Sequence, residues 1–169
     1  KQPVDEYDLY DLASITKVVA GTAAVMKLYE EGKVDLDEPI SQYLPLAIGT
    51  NKANLTLRNI MAHRAGLKPW IPFYTATLTD DKTKLPSAKY YRNKYSEEFP
   101  HQVTSDLFLR ADYPDTIFKL ILDSPLRPKT DYKYSDLGFY LVARMVENLT
   151  GKQIGEYVRE KVYEPLGMT

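Results

Sequence analysis

Residues 11–28 combine the strongest apolar run in the chain with one charge, Lys17, placed where a buried helix should carry none. The run predicts a helix from about Ser14, and two residues three apart share a helical face, so the Ser14 hydroxyl and the Lys17 ammonium are expected to be neighbours in the first turn. A serine there is also a natural N-cap, and its backbone N–H is among the first four that no intrahelical carbonyl satisfies. The atoms that start a helix could therefore serve a reaction. A hydroxyl is a poor nucleophile until a neighbour takes its proton, and a lysine in apolar surroundings has its pKa lowered enough to act as that base. Val18, Val19, Ala20 and Ala23 are expected to supply those surroundings, while the positive end of the helix dipole favours negative charge on or beside the serine oxygen. The plainer reading of the same residues is an N-cap followed by a lysine that lays its stem on the helix and its head in water. None of Ser41, Ser87, Ser96, Ser105, Ser124 or Ser135 has a lysine at this spacing.

With 169 residues the chain is long enough for one domain with a core, and its net charge of -1, with acidic and basic residues interspersed, argues against an electrostatic nucleic-acid binder. The absence of cysteine excludes disulfides, thiolate catalysis and thiolate-ligated zinc. No run of eighteen apolar residues marks a transmembrane helix, and no signal peptide is expected. The chain opens at Lys1 without methionine and stops at Thr169 directly after a helix, which suggests a segment of something longer.

Gly32 is placed to end the first helix as a left-handed C′ residue, with Val34 closing the turn. Residues 35–39 read as a turn, and Ile40, Tyr43 and Leu44 form a short apolar face up to Pro45. A second helix is predicted over 54–63, with Thr56 as a plausible cap and Gly66 beyond its end. From Lys68 to about Asp112 the periodicity fails, and Pro69, Pro72, Pro86 and Pro100 break any long helix. The segment 68–112 is read as an irregular insertion, flanking a cleft or merely solvated, and it admits a short helix around Ser105 to Arg110. Its lysines and arginine at 82, 84, 89, 92 and 94 are read as a solvated face. Further helices are predicted over 115–122, capped by Asp115, over 136–149, with Leu137, Tyr140, Leu141, Val142, Met145 and Val146 inward and Gly151 at the end, and over 153–163. His63 reads as a packing and capping residue. With only His63 and the isolated His101, no metal site and no cofactor are expected.

Tyr134-Ser135-Asp136 lies where an extended segment turns into a helix, a geometry that projects side chains into a neighbouring cleft. A tyrosine can shuttle a proton if an ammonium lowers its pKa, and a carboxylate two residues on can orient that ammonium. The alternative is that Asp136 caps the helix and Tyr134 packs.

Taken together, five blocks resemble the serine β-lactamase and penicillin-binding-protein superfamily, in the branch of class C β-lactamases, D-alanyl-D-alanine peptidases and related esterases. Ser14-Ile15-Thr16-Lys17 is similar to the family's Ser-x-x-Lys motif, and the continuation from Leu28 to Pro39 resembles the usual one. Ile60-Met61-Ala62-His63-Arg64-Ala65-Gly66-Leu67 resembles its Leu-Leu-x-His-x-Ser-Gly-Leu block. Tyr134-Ser135-Asp136 resembles its Tyr-x-Asn element, and Tyr163-Glu164-Pro165-Leu166-Gly167-Met168 its Phe-x-Pro-Leu-Gly-Met.

The resemblance implies Ser14 as the acylated nucleophile, Lys17 as its proton acceptor and Tyr134 as a proton shuttle. Asp136 stands where the family has Asn, and a carboxylate can accept from Lys17 but cannot donate to a substrate amide. The family's Lys-Thr-Gly motif and the strands around it are absent from this sequence. The expected fold is therefore mainly α, residues 1–169 being the helical subdomain of the β-lactamase/transpeptidase-like α+β fold without its antiparallel sheet. The implied function is that part of a serine hydrolase acting on an ester, amide or β-lactam carbonyl of a small-molecule or peptidoglycan-like substrate, inactive in isolation, with a periplasmic or cell-envelope location. The surface left by the sheet is expected to drive self-association. The alternative function is a non-catalytic helical binding module.

Overall fold

The computed structural model describes residues 3–168; Lys1, Gln2 and Thr169, which the reading of the chain ends invoked, lie outside the described residues. The first helical run starts at Ile15, passes through a π-helical turn at Lys17–Thr22 and continues as helix α1 (Ala23–Glu30). It ends as predicted. Gly32 adopts φ +67, and the pair of bonds Gly32 N–H to Tyr29 O at 3.0 Å and Lys33 N–H to Leu28 O at 2.9 Å closes the helix as a Schellman motif. Val34 is buried just beyond.

Helix α2 (Leu57–Met61) is shorter than the predicted 54–63, because its start is fixed by Thr56, whose side chain accepts from the Asn59 N–H at 3.3 Å. Helix α3 (Tyr113–Asp123) starts before Asp115, which therefore lies in its first turn and is not its cap. Asp112 occupies the cap position, but its carboxylate is held by Arg110 at 2.5 and 2.9 Å. Helix α4 (Leu137–Thr150) ends at Gly151 with φ +70, and helix α5 (Ile154–Val158) runs on into a second π-helical turn at Arg159–Tyr163.

The core forms around α4. Its Leu137, Leu141, Val142, Met145 and Val146 recur at helical spacing and pack with Ala24, Val25 and Leu28 of α1, Leu57 and Ile60 of α2, and Tyr157 and Val158 of α5. Tyr140, expected on that face, instead remains 41% exposed. The fold class is as expected: the chain is mainly helical.

The segment 68–112 is not without regular structure. It holds a small antiparallel sheet of strands β1 (Tyr91–Arg92), β2 (His101–Thr104) and β3 (Leu107–Leu109) in the order β1-β3-β2. The short helix admitted around Ser105 to Arg110 is thus a hairpin. Thr104 pairs with Leu107, leaving Ser105 and Asp106 as a tight turn, and the Thr104 hydroxyl donates to the Asp106 carboxylate at 3.0 Å.

One buried cation fastens the 44–55 loop to the end of α3. Lys52 is fully buried, and its ammonium donates to Asn51 Oδ1 at 2.6 Å, to the Leu122 carbonyl at 3.3 Å and to the Ser124 carbonyl. Three N–H donors meet three acceptors, two of them carbonyls at the negative end of a helix. Burial lowers the Lys52 pKa to about 8, which still leaves it protonated at neutral pH. Lys52→Met keeps the stem and strands the acceptors, so urea denaturation should show a loss of about 3 kcal/mol.

Candidate active site

The turn that presents Ser14 is strained. Ala13 has φ 43, and its N–H is held by the Asp11 carboxylate at 2.8 Å, while Ile15 and Thr16 donate to Leu12 and Ala13 carbonyls at 2.9 and 3.1 Å. This sharp entry leaves Ser14 exposed at the head of the helical run, and its N–H has no acceptor among the described residues. The serine does not cap the helix. Its Oγ accepts from the Lys17 ammonium at 3.0 Å.

Lys17 joins the two sequence elements. Its Nζ lies 2.7 Å from Asp136 Oδ1 and 5.1 Å from the centre of the Tyr134 ring. Asp136 makes no cap bond to α4, so the capping alternative does not hold. Ser14, Lys17, Tyr134 and Asp136, singled out from the sequence, are all brought together, with Lys17 at their centre.

Residues that the sequence reading left in supporting roles set this geometry. His63 follows α2 with φ 56, and its Nδ1 accepts from the Ser135 N–H at 3.1 Å while its carbonyl accepts from the Lys133 N–H at 2.9 Å. Its ring stacks at 4.4 Å, tilted, on Tyr134. The buried Ser135 donates through its hydroxyl to the Lys68 carbonyl at 2.6 Å and accepts from the Leu137 N–H at 3.2 Å, which makes Ser135 the capping side chain. His63 is therefore architectural. It pins the extended approach that carries the phenol and the carboxylate. His101 lies elsewhere, on β2, with its Nε2 3.2 Å from the Ala111 carbonyl.

Two glycines set how closely the helices approach. A Cβ on Gly21, in the π-helical turn, would stand 2.6 Å from the Phe139 ring, and one on Gly138 would stand 2.8 Å from Ile60. These contacts bring the Lys17 turn and α2 onto the first turn of α4. A glycine inside an apolar helical run was the available signal for Gly21.

The electrostatics differ from the expected ones in one respect. Val18 and Val19 are 63% and 37% exposed and do not form an apolar jacket. Desolvation is the largest single influence on Lys17 and lowers its pKa, but hydrogen bonds and charge from Asp136 and Tyr134 together outweigh it, so the net shift is upward. Lys17 is an ammonium at neutral pH. The phenol moves the other way: hydrogen bonding to Lys17 first, and to Ser14 next, holds Tyr134 below the ordinary tyrosine value. Desolvation, followed by the charge of Lys17, lowers His63, in keeping with a ring nitrogen that must remain an acceptor.

A groove of about 430 Å³ runs along this cluster, lined by Ala13, Ser14 and Lys17 of the first helical run and by Asp136, Phe139, Tyr140 and Ala143 at the start of α4. Among the described residues no group of three or more His, Asp or Glu side chains is placed to hold a metal ion. No described helix is long and apolar enough to cross a membrane. The groove wall thus carries the Ser14 hydroxyl and the Lys17 ammonium, and the phenol of lowered pKa stands against both.

The family model described as Beta-lactamase matches residues 1–169. A protein of Escherichia coli (strain K12), provisionally named a D-alanyl-D-alanine carboxypeptidase, is 31% identical over 168 residues, covering 95% of this chain and 33% of that protein. The N-acetylmuramyl-L-alanine amidase of Bacillus subtilis (strain 168) is 29% identical over 166 residues, 94% of this chain and 32% of its own. The chain thus spans about a third of the length of these curated relatives. Among solved structures, the D-amino acid amidase of Ochrobactrum anthropi SV3 superposes with a TM-score of 0.64 at 23% identity, over 98% of this chain and 41% of that one. A class C β-lactamase from Rhodobacter sphaeroides gives 0.58 at 18% identity, over 91% and 34%. These superpositions establish the fold.

Asp136 is the stronger of the two partners that raise Lys17 against its partial burial. In Asp136→Asn the Lys17 titration midpoint should therefore move down, read as the pH dependence of its ¹³Cε chemical shift; a midpoint that stays in place would separate the two side chains.

Proposed function

The chain belongs to the beta-lactamase family of serine hydrolases, and on that premise we propose that Ser14 is the nucleophile of an acyl-transfer reaction. The observation that carries this reading is the Lys17 ammonium, held within 3.0 Å of the Ser14 hydroxyl and 2.7 Å of Asp136, with the Tyr134 ring on it. In this scheme Tyr134 enters as its phenolate, the form that Lys17 favours, and takes the Ser14 Oγ–H proton as the Oγ–carbon bond forms. The bond from the carbonyl carbon to its leaving group then breaks, and Tyr134 returns the proton to that group. Water then attacks the acyl carbon while giving a proton to the Tyr134 phenolate, and Tyr134 passes that proton to Ser14 Oγ as the acyl–Oγ bond breaks. Lys17 stays charged throughout and keeps the phenol acidic, and Asp136 holds Lys17; this exchanges the base role that the Ser-x-x-Lys resemblance gave to the lysine. The Ser14 N–H supplies one donor to the oxyanion. The substrate class proposed is an ester, amide or β-lactam carbonyl of a small molecule or peptidoglycan-like peptide.

Residues 1–169 are proposed to form one helical subdomain of that enzyme, with the 68–112 segment inserted in it. An oxyanion donor is worth about a hundred- to a thousandfold in turnover, and the relatives are about three times longer than this chain, so the isolated chain should be inactive or nearly so. Turnover of nitrocefin or p-nitrophenyl acetate by the 169 residues alone, lost in Ser14→Ala, would contradict that. In the full-length protein a fluorophosphonate probe should label Ser14, and Lys17→Ala and Tyr134→Phe should each slow acylation by about 10²–10⁴. No adduct on Ser14 would favour the binding-module alternative.

Met26 and Leu166, which are 66% and 69% exposed, line a groove of about 480 Å³ that is the proposed surface of self-association. Light scattering of the isolated chain should show mass rising with concentration; a monomer throughout would count against it.

A further inference from the structure

A second concavity, of about 250 Å³, lies beside the Ser14 groove, walled by Trp70, Phe73, Tyr74, Tyr91, Tyr113 and Tyr140. No charged side chain lines it. Two of its phenols have their polar ends occupied within the protein: the Tyr113 hydroxyl donates to the Phe73 carbonyl, and the Tyr91 hydroxyl pairs with Thr77 Oγ1 at 2.9 Å. What they contribute to the wall is ring surface. Phe73 and Tyr140 meet edge to face at 5.6 Å, and Trp70 and Tyr74 lie 6.4 Å apart. Trp70, Tyr74 and the lining Val103 are nevertheless 54%, 55% and 53% exposed, so apolar groups gather at a rim that solvent reaches.

Tyr140 lines both concavities, so the two meet at its ring. It stands one turn after Asp136, about 6 Å further along the same face of α4. A substrate whose carbonyl lies at Ser14 would meet Tyr140 in the same groove, and a substituent passing that ring would face the aromatic wall. A charged substituent would lose its hydration there without gaining a partner, whereas an aryl or branched alkyl group would exchange water for ring faces.

We propose that this cavity is the specificity subsite of the Ser14 reaction, taking an uncharged aryl or branched alkyl substituent of the substrate, and that the 68–112 segment sets that preference. Trp70, Tyr74 and Tyr91 from that segment close the cavity over Tyr113 and Tyr140, which gives it a role beyond that of a solvated insertion. The inference rests on the assignment of Ser14 as nucleophile.

The test uses the full-length protein and three thioesters: S-ethyl thioacetate, S-ethyl phenylthioacetate and S-phenyl thioacetate, so that the aryl group is absent, on the acyl side or on the leaving side. Rates of thiol release are divided by those of hydroxide with the same compounds. One aryl thioester should exceed S-ethyl thioacetate in normalised kcat/KM by about tenfold or more, the discrimination expected of an apolar pocket. Val103→Trp, which fills the cavity from the exposed hairpin, and Trp70→Ala, which removes a wall, should each bring that ratio towards one. An unchanged ratio in both variants, with Ser14 still labelled by a fluorophosphonate, would overturn the subsite and leave the nucleophile in place. Failure of the wild type to label at Ser14 would instead remove the assignment beneath it.

Discussion

An ammonium shared between two chain segments organises this molecule. Lys17 comes from the first helical run and Asp136 from the start of α4, more than a hundred residues later, and the 2.7 Å contact between them ties the two at the point where Ser14 and Tyr134 meet. An isolated lysine in that position would lose hydration without compensation, and its pKa would fall. The carboxylate reverses this, so the cluster contains a fixed positive charge, a phenol acidified by it and a hydroxyl hydrogen-bonded to it. Each member has its state set by the others.

Close packing makes that contact reproducible. Gly21 lets the Lys17 turn come down on Phe139, and Gly138 lets α4 settle on Ile60 of α2. His63 then fixes the strand-like approach through Ser135, so one imidazole transmits the position of α2 to the phenol and the carboxylate on either side of that serine. The π-helical turn at Lys17–Thr22 belongs to the same device, since widened turns recur where a helix has to aim a functional side chain.

Much of this was legible in the sequence where a residue type admits few conformations. Gly32 and Gly151 ended their helices in the left-handed region, Thr56 capped α2, and the apolar spacing of Leu141, Val142, Met145 and Val146 gave the buried face of α4. The pairing of Ser14 with Lys17 followed from helical spacing alone. Tertiary context decided the rest. The strands of 91–109 are two to four residues long, too short for alternation to stand out, and their existence depends on pairing across the hairpin. Tyr140 satisfies the helical pattern of the core yet lies on the groove, because periodicity assigns a face and cannot say whether that face ends against protein or cleft. The direction of the Lys17 shift is opposite to that expected because Val18 and Val19 face outward and the Asp136 carboxylate, expected as a partner, together with Tyr134 outweighs the desolvation that remains.

Ser135 stands between Tyr134 and Asp136, the two groups that meet the Lys17 ammonium. Its amide, its hydroxyl oxygen and its hydroxyl proton are engaged by three different parts of the chain, His63, Leu137 and Lys68, in a space closed to solvent. Removing the hydroxyl breaks two of these connections at once. The centre of the triplet is thus the hinge that holds its two outer side chains, and a change at 135 would shift 134 and 136 together.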